Sequence, residues 1–256
     1  MKNDKALIKQ DLESKKTDYF ARNYSEQSGQ NLLRRMRRHL IFECIREVQP
    51  ASHVLDIGCG PAILFPELLA SSKEYVAADL VGANLQEIKK NNPSPNLILV
   101  EADMDSFDWQ HNYFDIIICS GAIEYTAEPE KNLLKLIALL RNNGQLICSF
   151  PNGRSPYRLW GEYVYRHIWR AKNALTKKTL PAYRRKLFSS GHIVNLIEES
   201  ISPQELHITH FGHKFLPQPL DQLLRNVDCR LTTFGAEHSN SFLQPFCTEF
   251  LLWMRK

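Results

Sequence analysis

Five short runs in the first 150 residues are apolar through their centres rather than on every second position: HVLDI (53–57), EYVAAD (74–79), NLILVEAD (96–103), YFDIIICS (113–120) and GQLICSF (144–150). A strand with one wet face alternates apolar and polar residues, whereas a strand covered on both faces has no reason to alternate. Between these runs lie stretches of helical periodicity, from about Pro61 to Ser71, Gly82 to Asn91 and Pro129 to Leu140. Strands that alternate with helices in this way build a mostly parallel sheet covered by helices on both faces. ELHITHFG (205–212) and FCTEFLLWM (246–254) bring the expected strands to seven, with a helix at GHIVNLIEES and a short one near Pro219 to Arg225.

With 256 residues, 43% of them hydrophobic, the chain can bury one large α/β domain but is short for two. A long helix from Ser25 to Val48, stopped by Pro50, makes residues 1–49 an N-terminal helical cap on a domain spanning 50–256. The pattern breaks after Pro151, where residues 153–190 read as an insertion following strand five. The six cysteines, at 44, 59, 119, 148, 229 and 247, form no CxxC pair and mostly fall in apolar runs, which argues against a disulfide framework or a zinc site. No signal-peptide core and no run of about 18 apolar residues is present, so the expected location is the cytoplasm, with peripheral membrane contact open.

The most informative stretch is VLDIGCGPA (54–62), where a strand gives way to a helix. Gly58 and Gly60 let the backbone turn tightly and approach a ligand without a Cβ in between. A dinucleotide fold would place a third glycine at position 63, which here is Ile63, so the nicotinamide reading loses its support. Asp79 ends the next strand about 20 residues further on, the spacing at which a carboxylate reaches a ribose hydroxyl.

DIGCG resembles the first motif of the class I, Rossmann-like S-adenosylmethionine-dependent methyltransferases of small-molecule type, with Ala62 where a further glycine often stands. The resemblance is specific over about one hundred residues, through FDIIICSGAIEYT and EPEKNLLKLIALLRNNGQLICSFPN. It implies S-adenosylmethionine as cofactor, with Asp56 holding the amino group of its methionine part and Asp79 both ribose hydroxyls. Leu80 would face the adenine, Asp103 would accept from its exocyclic amine, and the Met104 backbone would meet the ring. Cys119, with Ser120 and Gly121, would line the cleft, and Glu124 and Tyr125 would stand at its mouth.

The resemblance also bears on the acceptor. Enzymes that methylate amino groups of adenine or glutamine carry an Asn or Asp, two prolines and an aromatic after strand four, where this chain has CSGAIEY, and no Pro-Cys dipeptide is present for cytosine-C5 chemistry. The layout resembles small-molecule O-methyltransferases acting on hydroxyls of quinone, phenolic, lipid-like or natural-product substrates. A catalytically inactive cofactor-binding scaffold or regulator, and an RNA or protein methyltransferase, stay open as alternatives. Candidate bases are His210, His213 and Glu124; Glu124 reads equally as a carboxylate placed at a helix start. His207 and His210 point to opposite faces of a strand and cannot share one metal ion, so no metal site is expected.

The insertion has its own chemistry. From Arg154 to Lys186 ten basic residues face a single acid, Glu162, and six aromatics are interleaved with them. Long basic side chains also cover apolar surface on an ordinary solvated helix. The alternative is a lid that recruits an anionic, partly apolar partner: an anionic lipid, a membrane surface or a carrier-bound substrate. Nucleic acid is the competing partner.

Overall fold

The computed structural model describes residues 9, 29–46, 53–173, 185–238 and 242–256. Helix α1 (Gly29–Arg46) is followed by β1 (His53–Ile57), α2 (Pro66–Ser71), β2 (Glu74–Asp79), α3 (Gly82–Asn91) and β3 (Leu97–Glu101). Then come β4 (Phe114–Cys119), a 3₁₀ turn (Ile123–Tyr125), α4 (Pro129–Leu139) and β5 (Leu140–Pro151). The insertion follows as α5 (Pro156–Trp160), a π turn (Gly161–Tyr165) and α6 (Arg166–Asn173). The chain closes with α7 (Ser190–Ser200), β6 (Glu205–His213), α8 (Leu220–Leu223), α9 (Arg225–Glu237) and β7 (Cys247–Arg255).

The seven strands form one sheet in the order β3-β2-β1-β4-β5-β7-β6. All neighbours are parallel except β7, which runs antiparallel to both β5 and β6. The mostly parallel seven-stranded α/β sheet expected from the uniformly apolar runs is the fold observed. Successive side chains on each strand go to opposite faces. Leu55, Ile57, Val76 and Ala78 join the core under α4 and α7, while Val54, Tyr75, Ala77 and Ile118 join the core under α1, α2 and α3. The described part of the N-terminal cap is thus a layer of the fold, with Ile41 of α1 only 1% exposed.

Strand order reverses between β1 and β4, whose connections leave in opposite directions along the sheet. In open α/β sheets the crevice at the carboxyl ends of two such strands is where ligands bind. The turn after β1 opens into that crevice.

Two expectations need correction. The helix expected from Pro61 begins only at Pro66. Phe65, preceding a proline, is pushed out of the helical region (φ −129°, ψ 72°), while Pro66 suits the first helical position, where no N–H is needed. The short helix near Pro219 to Arg225 continues after a break into the 13-residue α9. Its sequence, RNVDCRLTTFGAE, lacks an apolar stripe because the positions it buries are Asp228, Thr232 and Gly235. The insertion expected at 153–190 is helical as far as Asn173; Lys177, Lys178, Tyr183 and Arg184 lie outside the described residues.

Candidate active site

The turn after β1 is fixed from β2. The N–H groups of Gly58 and Cys59 both donate to the Ala78 carbonyl (2.7 and 3.2 Å), and the Gly60 N–H donates to the Asp79 carboxylate at 2.9 Å. Gly58 has φ +72° and Gly60 φ +66°, the left-handed region that a Cβ disfavours. A Cβ on Gly58 would stand 2.2 Å from that of Ala122, so only glycine lets the β1 turn and the segment after β4 meet.

Two buried carboxylates flank this turn. Asp56, 3% exposed, accepts from the Tyr75 hydroxyl at 2.9 Å. Burial pushes its carboxyl up to about 7, with the Tyr75 bond working against that and the charge of Asp79 adding to it. Asp79 also accepts from the Val81 N–H (2.9 Å) and the Asn84 amide (3.0 Å). A carboxylate offers about four lone-pair sites, and three donors already engage this one. A ribose diol at Asp79 would have to take the place of the Gly60 or Asn84 contact. Among the described residues no cluster could hold a metal ion. Two buried carboxylates, beside a turn with room for a backbone approach, suit a ligand that carries positive charge together with hydroxyls.

Asp56, Gly58, Gly60 and Asp79, chosen from sequence, therefore meet around one turn. Leu80, half-buried, follows directly. Asp103 and Met104 follow β3, two strand spacings from β1 or roughly 10 Å away. The Asp103 side chain accepts from the Asp105 N–H (3.1 Å), and the Met104 carbonyl from Lys135 (3.0 Å) while the Met104 side chain is buried in the core. Cys119 is a partial correction: it is wholly buried in the core, opposite Cys148 on β5, so only its backbone can line the cleft.

The three candidate bases separate. His210 and His213 stand on β6, the sheet edge, four strand steps or roughly 19 Å from β1. His213 is 1% exposed, 3.1 Å from the Cys247 sulfur and packed against α9 at Gly235. Burial lowers both imidazoles, helped at His210 by the charge of Arg154. Glu124, in contrast, lies two residues beyond the Ala122 that meets the glycine turn. It is buried, its Oε2 has no hydrogen-bond partner, and burial raises its carboxyl against the pull of Arg185 and Arg37. The backbone of Lys186 crosses above it, donating to its carbonyl at 3.2 Å.

Sequence reasoning missed the neighbours of Glu124. Glu249 of β7, 4% exposed, accepts from Arg37 of α1 at 2.9 Å and from Arg158 of α5 at 2.9 Å. The Arg37 guanidinium also occupies the space that a side chain on Gly121 would need, and the Gly121 N–H donates to the Ser149 hydroxyl at 2.8 Å. The three partners lie 212 and 91 residues apart, and no local pattern marks any of them. A cleft of about 720 Å³ runs between the first turn of α4, the π turn and residues 185–192.

Residues 55–148, which hold the glycine turn, both carboxylates and the strand after which Glu124 stands, match the sequence family described as Methyltransferase domain. Over these residues the chain carries a methyltransferase domain. Among curated proteins this domain is similar to a ubiquinone biosynthesis O-methyltransferase of Coxiella burnetii, 28% identical over 120 residues, 44% of this chain and 51% of that protein. It is also similar to the enzyme of the same name from Rickettsia prowazekii, 24% identical over 181 residues, 66% of this chain and 70% of the other. The chain spans about half the length of the Coxiella relatives it matches. Among solved structures the methyltransferase fold is shared with the N-methyltransferase NodS from Bradyrhizobium japonicum in complex with S-adenosyl-L-homocysteine. That likeness has a TM-score of 0.59 at 12% identity and covers 97% of both chains.

Proposed function

We propose that the protein transfers a methyl group to a hydroxyl of a small-molecule acceptor of quinone, phenolic, natural-product or lipid-like type. The observation that carries the reading is the pair of buried carboxylates, Asp56 and Asp79, on either side of a glycine turn at the switch point of the sheet. The names of the curated relatives support the acceptor class. S-adenosylmethionine, when bound, supplies a methyl group on a sulfonium, an activated donor, which leaves the protein to align the partners and exclude water.

In this reading Asp79 accepts from the ribose hydroxyls, exchanging the Gly60 or Asn84 contact for them. Asp56 takes the ammonium end of the cofactor, and a cation there draws its carboxyl back to the ionised form. Leu80, Asp103, Met104 and the Cys119 backbone surround the adenine side. Glu124 is the favoured base: it is buried, raised and has an unpartnered oxygen beside the turn. Arg37, Glu249 and Arg158 wall off the other side of the mouth.

The test is transfer of labelled methyl from S-adenosylmethionine into a cell extract. Label in organic-soluble small molecules supports the proposal, label in RNA or protein overturns the acceptor class, and cofactor binding without transfer overturns the activity. Asp79→Ala, with Asp79→Asn to preserve the turn, should weaken cofactor binding by about 1.5–3 kcal/mol, as expected for hydrogen bonds to a charged group. Unchanged calorimetric affinity in a folded variant removes Asp79 from the site.

A further inference from the structure

Along the insertion, exposed and covered positions alternate in pairs. Tyr157 and Arg158 are covered, Leu159 and Trp160 exposed, Gly161 and Glu162 covered, Tyr163 and Val164 exposed, Tyr165 and Arg166 covered, His167 and Ile168 exposed. One continuous stripe thus faces outward. On an ordinary surface helix that stripe would be polar. Here Tyr163 is 61% and Ile168 51% exposed, Leu159, Trp160 and Val164 are exposed with them, and the polar members are His167 and Arg170. The acid of the segment, Glu162, is on the covered side, 3.6 Å from Arg166.

A second apolar row abuts the first. The Trp160 indole N–H donates to the Gln218 carbonyl at 2.8 Å, and the Tyr157 hydroxyl to Asp221 at 2.7 Å. Just beyond, Leu220, Leu223, Leu224 and Val227 recur at helical spacing and are all exposed, Leu223 at 73%. The acids here, Asp221 and Asp228, are buried, whereas Arg225 and Arg230 are exposed. Two neighbouring rows of protruding aliphatic and aromatic side chains therefore share a rim that carries Arg170, Arg225 and Arg230, the nearby exposed acids being Glu128 and Glu130 in the cleft beside Tyr163 and Glu237 at the end of α9.

We propose that this surface docks the protein on a membrane containing anionic lipid, in the plane of the interface. The inference goes beyond the methyl-transfer reading and does not depend on it. Among the described residues no helix is long and apolar enough to cross a membrane, so the contact is peripheral. Apolar tips entering the headgroup boundary with cations around them match a negatively charged bilayer in both terms of its binding energy. Nucleic acid fits less well, because most of the protruding groups are aliphatic and offer no face on which a base can stack. A second copy of the chain fits less well, because a two-fold contact buries the same patch of both copies and would bring two sets of Arg170, Arg225 and Arg230 into one interface.

The experiment is flotation of the full chain with vesicles of phosphatidylcholine alone and of phosphatidylcholine mixed with phosphatidylglycerol, at low and high salt. The expected result is recovery with the mixed vesicles, reduced by salt. Tyr163→Ser with Ile168→Ser, and separately Leu223→Ser with Val227→Ser, should lower vesicle affinity about tenfold or more through lost apolar burial. Both variants should keep their thermal transition and cofactor affinity, since these side chains are exposed. Equal recovery with both lipids, no recovery at low salt, unchanged binding by both variants, preferential capture of a single-stranded oligonucleotide, or a dimer dispersed by the same substitutions would each overturn the proposal.

Discussion

The sheet holds two regions built on different terms. From β1 to β3 the ligand crevice is made by neighbours in sequence: the glycine turn, its anchor on Ala78 and Asp79, and the Tyr75–Asp56 bond all fall within about two dozen residues. From β5 to β6 the polar groups at the strand ends are held by partners from distant segments, as Arg37 and Arg158 hold Glu249, or in a pocket of their own, as Lys214 holds Asp228. The first region uses backbone geometry to shape a crevice at the switch point of the sheet; the second uses buried charge to fasten helices α1, α5 and α9 to a sheet whose last strands they cover. Buried charge is costly unless paired, so it specifies which helix goes where more firmly than it stabilises.

If the two regions are separable, damage to one should spare the other. The largest effect is expected at Lys214, which is 4% exposed and bonded to Asp228, also buried. Lys214→Met leaves a buried carboxylate without its cation and should cost about 3–5 kcal/mol in urea unfolding. The double change with Asp228→Leu should recover most of this, and the folded fraction of either should bind cofactor normally. Cofactor affinity that falls in step with stability would show that the regions form one unit.

The next test belongs to the crevice. The folded chain holds the proton of Asp56 up to about pH 7, against an ordinary value of 3.8. The folded state therefore binds more protons than the unfolded one between these values, and the stability from this group, complete below pH 3.8, is lost as pH rises towards 7. Asp56→Asn stays neutral and should lack that slope, with a difference of at most about 4 kcal/mol accumulated by neutral pH. Urea midpoints of both proteins from about pH 3 to 7 check it; parallel curves would mean that Asp56 titrates alike in the folded and unfolded chain.

The smallest effect is expected outside both regions. His192 lies 2.9 Å from Glu130, with both side chains more than half exposed. Exposed pairs contribute little, so His192→Ala should change stability by less than about 1 kcal/mol and leave methyl transfer intact. A marked loss of turnover would instead give the cleft of about 720 Å³ that His192 lines a part in acceptor binding.

The amino-acid sequence by itself determined the strands, the parallel sheet and the crevice residues Asp56, Gly58, Gly60 and Asp79. Each depends on a local requirement: burial on two faces makes a run uniformly apolar, a left-handed turn calls for glycine, and a carboxylate at the end of the next strand comes within reach of that turn. The start of α2 was legible as well, since the residue before Pro66 is kept from helical geometry, although helical periodicity alone placed it five residues early. Only the tertiary structure decided which candidate base stands by the crevice. Strand order, invisible in the chain, sets His210 and His213 on the far edge, whereas Glu124 stands two residues beyond the Ala122 that meets the turn. The same holds for α9, whose buried side is Asp228, Thr232 and Gly235. A polar residue shows itself as part of a core only when its partner is known, and the partners of Glu249 lie 91 and 212 residues away in sequence.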